Sequence, residues 1–597
     1  MADIENIADS GSDNSADSGS ESEFEGFEED EVAVNGNILN HTVILNPNYD
    51  RIIARDEELN WSNIDTPPTI APFTRDVGLT VDLDEEAEPI QFFKLFFNED
   101  YWPIIVTETN KYAEAKIAQQ PLSPNSRLHE WTPVTVDEVK LFFALCILMG
   151  VVYKESIEDY WTTNESTMTP FFNKKMSRNR FLAILSNLHL SDSTREIPVG
   201  QDGHDPLYKL RSFVNMCSRN FCDIYVPQKE LSVDESTCPW KGRLRFRVYN
   251  PAKPDRFGIK LYSVNEANSG YCVGFDVYVG STPVAEYSEL VDLDQDSGQT
   301  TKIVIGLLAK TGLLHGGHHV YMDNYYTSPE LFDELSIRET YACGTVRKNR
   351  KEFPEALKVK QRMLQGDSIF RRREDLLALK FYDKREVHML STIHTATNAI
   401  FDKRDQNGQP KFKPSCIADY CKFMGGVDLS DQNMKYYSVM RKSHKWWKKL
   451  FFFFFNMILT NSYALYRKYG TNKNLKSQDF REQIAISLIL EAPEAPKPKP
   501  ARKRPLTNSD RLTGRHFPAY NVAKEGAKRK HPARDCVACN PSFKNRGPRA
   551  TKYKRNSTAF HCPDCNVALC VPRCFEVYHT YQNYKQVLNG NENSDSE

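Results

Sequence analysis

A chain of 597 residues, 40% hydrophobic and 26% charged, has globular composition and length for three or more domains. Its net charge of −2 hides a split: residues 1–32 hold twelve acids and no Lys or Arg, whereas 497–555 hold 18 Lys and Arg against three acids. That polarity points to a polyanion partner. The N-terminus lacks the basic and apolar regions of a secretory signal, and the longest apolar run, Leu450 to Leu459, is broken by Asn456, so neither export nor membrane insertion is expected.

In chain order, residues 1–60 read as an acidic, Ser/Gly-rich disordered tail. From about 85 to 230 the pattern is helical. Phe92, Phe93, Leu95, Phe96 and Phe97 crowd one segment, Thr135 to Glu138 forms a capping box before Val139 to Val152, and Ser177 to Leu190 is amphipathic. From Leu231 the texture becomes β. Leu244, Phe246 and Val248 alternate with Arg243, Arg245 and Arg247, which predicts a half-buried strand with a guanidinium face after the bulge-like Pro239 to Gly242. Strands over 256–265, 271–279, 319–324 and 342–346 and helices over 300–314 and 328–338 make a mixed α/β sheet. A basic, irregular segment, 347–414, reads as an inserted subdomain. Gly425 to Gln432 then opens a helix with two acids in its first turn, a long aromatic helix follows over Trp446 to Tyr469, and 491–515 is a basic linker.

Asp234, Asp323 and Asp428 each stand at a strand end or helix start. Carboxylates meeting from separate segments suit hard divalent cations in phosphoryl transfer, although spacing alone leaves surface acids equally open. Here the motifs SVDESTCPWKGRLRFRVYNPAKPDRFGIK, YMDNYYTSPELFDEL, CGTVRKNR, GGVDLSDQ and KYYSVMRKSHKWWKK, preceded by ETNKYA and DYWTTNESTMTPFFNKKMSRNRF, together resemble the piggyBac family of DNA transposases and transposase-derived proteins. The similarity runs from about residue 85 to the C-terminus. It implies an α/β, ribonuclease-H-like catalytic core over 231–456 with its insertion at about 347–414. A split all-α dimerisation and DNA-binding domain (85–230 and 457–490) and a C-terminal cross-brace zinc module (516–597) would complete the chain. It also implies catalysis by Asp234, Asp323 and Asp428, which would bind two Mg²⁺, with Asp431 beside them. A homodimer would nick transposon ends, form hairpins and integrate at TTAA. The alternative is a domesticated, non-catalytic DNA-binding protein. Arg347, Lys348, Arg350 and Arg372 are candidate DNA-backbone contacts. Trp446 and Trp447 are candidates for base stacking, with core packing as the competing role.

Two CxxC pairs, Cys536/Cys539 and Cys562/Cys565, followed by Cys570, Cys574 and His579, read as zinc ligands. Seven ligands leave two sites one short, and His516, His531 or His561 could supply the eighth. The family resemblance, through GRHFPAY, selects His516 and implies two Zn²⁺ in a module that recognises transposon-end DNA. Lys497 to Arg504 (KPKPARKR) resembles a nuclear-import signal.

Overall fold

The computed structural model describes residues 49–493, apart from 120–121, 123–125, 252, 254, 281–290, 295, 405–409 and 440–441, and then 512, 515–523, 529–540 and 556–588. The chain forms two compact units, residues 1–498 and 499–597. The KPKPARKR run and residues 1–48 lie outside the described residues.

The expected tail over 1–60 needs correcting at its end. Helix α1 (Tyr49–Glu58) precedes a buried Trp61, whose indole N–H donates to the Glu352 carbonyl at 3.0 Å. The Asp56 carboxylate accepts from the amides of Glu355 and Ala356 at 2.6 and 3.1 Å, which ties this acidic stretch to a turn some 300 residues away.

The helical region comprises α2 (Pro89–Phe96), α3 (Tyr101–Ala118), α4 (Val136–Val151), α5 (Arg178–Asn187) and α6 (Arg211–Asp223). Helix α4 starts where the Thr135 hydroxyl accepts from the Glu138 amide at 3.2 Å, and it is buried on nearly every side. Its one buried carboxylate, Glu138, is matched by the forked guanidinium of Arg180 at 2.5 and 2.6 Å.

The sheet region follows as β1 (Glu230–Pro239), β2 (Arg247–Tyr249), β3 (Phe257–Glu266), β4 (Cys272–Val277), α7 (Gln299–Lys310), β5 (His319–Met322), α8 (Pro329–Ile337) and β6 (Tyr341–Thr345). Strands β4, β3 and β1 are antiparallel in turn, and β5 and β6 run parallel to β1. The spatial order β4-β3-β1-β5-β6 is the ribonuclease-H-like arrangement. The segment between Asp323 and Asp428 adds β7 (Ser368–Arg373), β8 (Leu376–Tyr382) and β9 (Glu386–Ser391). Strand β9 pairs with β6, so the insertion prolongs the core sheet to nine strands.

The strand expected over Leu244 to Val248 is mostly absent: only Arg247–Tyr249 is extended. Arg247 folds back, donating from Nη1 to the carbonyls of Lys241 and Gly242 at 2.9 and 3.3 Å, and this closes the chain into a turn. The in-out alternation survives, with Phe246 buried against Trp446 and the three arginines exposed.

Helices α9 (Ser415–Phe423) and α10 (Gly426–Tyr436) lead to α11 (Trp446–Tyr469) and α12 (Ser477–Leu490). Helix α11 packs on α2 and α6, and α12 on α4 and α2, so the two helical regions share one core. The Asn461 amide on α11 pairs with both backbone groups of Cys272 at 2.9 Å, closing the edge of β4. The buried Glu266 of β3 takes the Lys468 ammonium at 2.7 and 2.8 Å, locking helices to sheet. Trp447 is 3% exposed and packs in this core, which is its structural role here. Among the described residues, no helix is long and apolar enough to cross a membrane.

Candidate functional site: an acid cluster and a Cys/His module

Strands β1 and β5 pair in parallel as far as Val233 and Met322. The next residues, Asp234 and Asp323, therefore leave adjacent strands side by side, although 89 positions separate them in the chain. Burial and the neighbouring charges of Glu235 and Asp323 push the Asp234 carboxyl well above its usual range. Burial and then Glu235 push Asp323 up to about 6. The Asp323 loop is fixed in place: Oδ1 accepts from the Tyr325 amide at 2.9 Å, and Thr327 Oγ1 donates to the Asp323 carbonyl at 2.8 Å.

Helix α10 crosses the same face of β1. Side chains of Ser232, Asp234 and Ser236 share that face because strand residues alternate. Ser232 Oγ accepts from the Val427 amide at 3.2 Å, and Ser236 Oγ donates to Asp431 Oδ1 at 2.6 Å, so these contacts bracket Asp234. The approach needs Gly426. A Cβ there would meet Ser232 Oγ at 2.5 Å and the Glu266 carbonyl at 3.0 Å. Burial raises Asp431 to about 6, against the pull of its Ser236 hydrogen bond. Asp428, in the first turn of α10, is exposed and adds its charge to Asp431.

The structure thus sets Asp234 beside Asp323 at the end of β5, while Asp431 is held by Ser236, two residues further along β1, and Asp428 lies one turn from Asp431 at the solvent side. Carboxylates are the donor set of a hard cation, but among the described residues only the two Cys/His groups of the C-terminal unit bring three or more ligand atoms within 4.8 Å of one another; the half-buried Asp234, Asp323 and Asp431 do not.

The four basic candidates divide. Arg347 Nε donates to Asn324 Oδ1 at 3.0 Å, and Arg350 Nη2 donates to the carbonyls of Asn324 (3.0 Å) and Tyr325. Both therefore clamp the loop that carries Asp323. Lys348 is exposed. Arg372 is a correction: at 2% exposure it pairs with Asp65 at 2.9 Å and donates to the His394 carbonyl at 2.6 Å, so it has no face left for a phosphate. Arg372→Met should cost about 3–5 kcal/mol by stranding Asp65. DNA affinity and its salt dependence should stay as in the wild type, as thermal unfolding and salt-titrated binding would show.

Sequence reading missed a cleft of about 1610 Å³ lined by ten Lys and Arg and one acid, Asp255. Its walls include Lys116 from α3, Lys241, Arg243 and Arg247 after β1, and Lys445 and Lys449 at the start of α11. These residues are over 300 positions apart, so no local charge run announces them. Lys448 is the buried one among its bases: its ammonium donates to the Leu185 and Ser186 carbonyls at 2.5 and 2.9 Å, at the C-terminus of α5.

In the second unit, Phe560–Cys562 is a central strand between Ala519–Tyr520 and Val567–Ala568. Among the described residues, two ligand groups form there: Cys536, Cys539, Cys570 and Cys574, and His516, Cys562, Cys565 and His579, each with ligand atoms within 4.8 Å of one another. Ligands of the two groups interleave along the chain, which is a cross-brace, and His516 rather than His531 or His561 completes the second. Cys539 and Cys570 sulfurs lie 4.0 Å apart. His516 Nδ1 lies 3.4 and 3.6 Å from Cys562 and Cys565, and His579 Nε2 lies 3.4 Å from Cys565. A tetrahedral ion with bonds of about 2.0–2.3 Å gives ligand edges of about 3.3–3.8 Å, so both groups fit Zn²⁺. Burial and neighbouring thiols push Cys570 up to about 12, a crowding that a cation would relieve. His579 Nδ1 bonds the Phe575 carbonyl at 2.7 Å and so points Nε2 at the site.

A ribonuclease-H-like sheet with acids at its strand ends, joined to a cross-braced Cys/His unit, defines a transposase-type protein. The Transposase IS4 family model matches residues 88–463, and the chain belongs to the piggyBac-type transposases of that family. It is 26% identical over 507 residues to human PiggyBac transposable element-derived protein 3, covering 82% of this chain and 76% of that one. It is 26% identical over 466 residues to human PiggyBac transposable element-derived protein 2, covering 76% and 74%. Among solved structures it resembles the piggyBac transposase synaptic complex with hairpin DNA, determined by cryo-electron microscopy, with a TM-score of 0.60 and 21% identity over 81% of this chain and 97% of that one.

Proposed function

We propose that this protein is an active cut-and-paste DNA transposase that nicks transposon ends, forms hairpins and integrates at TTAA, working as a nuclear homodimer. The observation that carries the reading is the register of β1 and β5, which sets Asp234 beside Asp323 under the acids of α10. Asp234, Asp323 and Asp428 would hold two Mg²⁺, with Asp431 supporting them from α10. Bound there, these ions would activate the attacking oxygen and stabilise the leaving one. The residues themselves supply alignment. Arg347 and Arg350 keep the Asp323 loop from retreating, and Ser236 holds Asp431 over β1.

The basic cleft supports DNA binding close to the acids. It begins at Pro239, five residues beyond Asp234 along β1, or about 17 Å at roughly 3.3 Å per residue. That is about five base pairs at roughly 3.4 Å each, so a duplex held in the cleft would reach the acids. Lys348 would add a backbone contact. In the second unit, two Zn²⁺ would hold the module that recognises the transposon ends.

An excision assay tests this reading. A donor plasmid carrying candidate terminal inverted repeats flanked by TTAA should be cut and resealed without a footprint. The human relatives are named as transposable element-derived proteins, which favours a second reading: a domesticated, non-catalytic DNA binder. End binding without any nicking in that assay would select it.

A further inference from the structure

The apolar core of the second unit gathers around its ligand groups, where Val567, Leu569, Phe575 and Tyr578 pack with the buried cysteines. Three rings of this unit stand outside that core. Tyr520, on the edge strand, pairs across the sheet with Phe560, and their rings stack at 4.6 Å between centroids and 29° between planes. His531 stacks on Tyr520 in turn, at 4.4 Å and 27°. The planes form a ladder from half-buried Phe560 through Tyr520, 54% exposed, to exposed His531. Among the described residues no further ring stacks on His531, the outermost plate.

The ladder is built rather than loose. The buried Asn521 side-chain amide donates to the Pro532 and Thr558 carbonyls at 2.8 and 2.9 Å, which fastens the His531 loop beside the strand of Phe560. Phe517, on the same segment as Tyr520, is 70% exposed. Apolar surface kept ordered and open to solvent marks a contact surface. Charge then selects the occupant. At the described positions of 515–535 the exposed charges are Arg515, Arg529, Lys530 and Arg534 against Asp535, which favours a polyanion over a basic peptide. Flat rings beside cations suit bases beside phosphates. A base within a duplex is covered on both faces by its neighbours, so such rings reach only an unpaired or terminal one.

We propose that the ladder of Phe560, Tyr520 and His531 is a stacking platform for an unpaired base of single-stranded DNA, with Arg529, Lys530 and Arg534 taking the phosphates beside it. The inference rests on the reading of this unit as a DNA-binding module, and it adds that the unit holds unpaired as well as paired DNA.

Photocrosslinking of the full-length, zinc-loaded protein tests this. The probe is a strand of about 20 nucleotides of candidate transposon-end sequence with 5-iodouracil in place of thymine, used alone or annealed to its complement. Peptide mapping should place the single-strand adduct on Tyr520 or His531, and the duplex should give about tenfold less there. Tyr520→Ala should lower the adduct yield from this unit about tenfold, the effect of losing one stacked base, while both zinc ions stay bound. His531→Phe keeps a plane and should crosslink as wild type. If Tyr520→Ala loses its zinc, the wild-type adduct map decides alone. An equal yield from the duplex, or no adduct on the ladder, overturns the inference. Duplex adducts elsewhere in the unit would then leave its DNA-binding role standing, whereas no adduct of either form in the unit removes both readings. Slower hydrogen exchange over 515–535 with a lysine-rich peptide but not with the oligonucleotide would make this a protein-docking face and overturn the inference as well.

Discussion

Asp234→Ala should abolish nicking of a transposon-end duplex, by at least about 10³-fold, while the fold and end binding remain. The loss follows from position. Asp234 is bracketed by the two serine contacts to α10 and adjoins Asp323 through the strand register, so no neighbouring carboxylate replaces it. Retention of the fold follows from the same geometry, because in the absence of a cation these acids repel. Asp323 makes the point measurable. Its carboxyl, at about 6 in the folded protein, starts from 3.8 in an unstructured chain. Between those pH values the folded state keeps a proton that the unfolded chain has lost, so stability drains away as pH rises through that window. In Mg²⁺-free buffer, Asp323→Asn should therefore exceed wild type at pH 7 by on the order of 2 kcal/mol and lose that advantage below about pH 3.8. Urea unfolding across pH 4 to 7 checks it, and a wild-type midpoint that does not decline relative to the variant would refute the cost of burying this charge beside Glu235. Nicking by Asp234→Ala at the wild-type rate would remove the acid cluster from catalysis.

The acids were readable because Asp at a strand end is a local signal, and the family motifs place them in order. Their convergence was not readable. Asp234 and Asp323 meet through a register that only the pairing of Val233 with Met322 sets. The basic insertion shows the converse error: Arg372 reads as a DNA-backbone contact, yet strand alternation and the distant Asp65 bury it and commit it to an ion pair. Alternation misled again at Arg243 to Val248, where the burial pattern holds without the strand, because Arg247 closes a turn onto Lys241 and Gly242. The cleft escaped notice because its charge is assembled from α3, the end of β1 and the start of α11. The Cys/His ligands were visible because CxxC spacing is itself the geometry of a shared ion. Which pairs share an ion depends on strands hundreds of atoms apart, and only the fold answers it.

That answer yields the second large effect. Each four-ligand group in the C-terminal unit contributes on the order of 10–16 kcal/mol of folding free energy when loaded with Zn²⁺, more than the small apolar core beside it can supply. Removing the ion with a strong chelator should therefore melt the unit outright. Interleaving of the ligands couples the two groups. Cys562→Ser strikes the His516 group, yet the strand Phe560–Cys562 sits centrally between Ala519–Tyr520 and Val567–Ala568, and Cys565 and Cys570 frame the latter, so the Cys536 group should fail with it. Zinc content measured by atomic absorption should drop from two ions per chain toward none rather than to one. Affinity for transposon-end DNA should fall at least about tenfold, because basic residues such as Arg529, Lys530 and Arg534 lose the frame that the ligand groups give them. Loss of a single ion with end binding intact would show two independent sites and detach the module from DNA recognition.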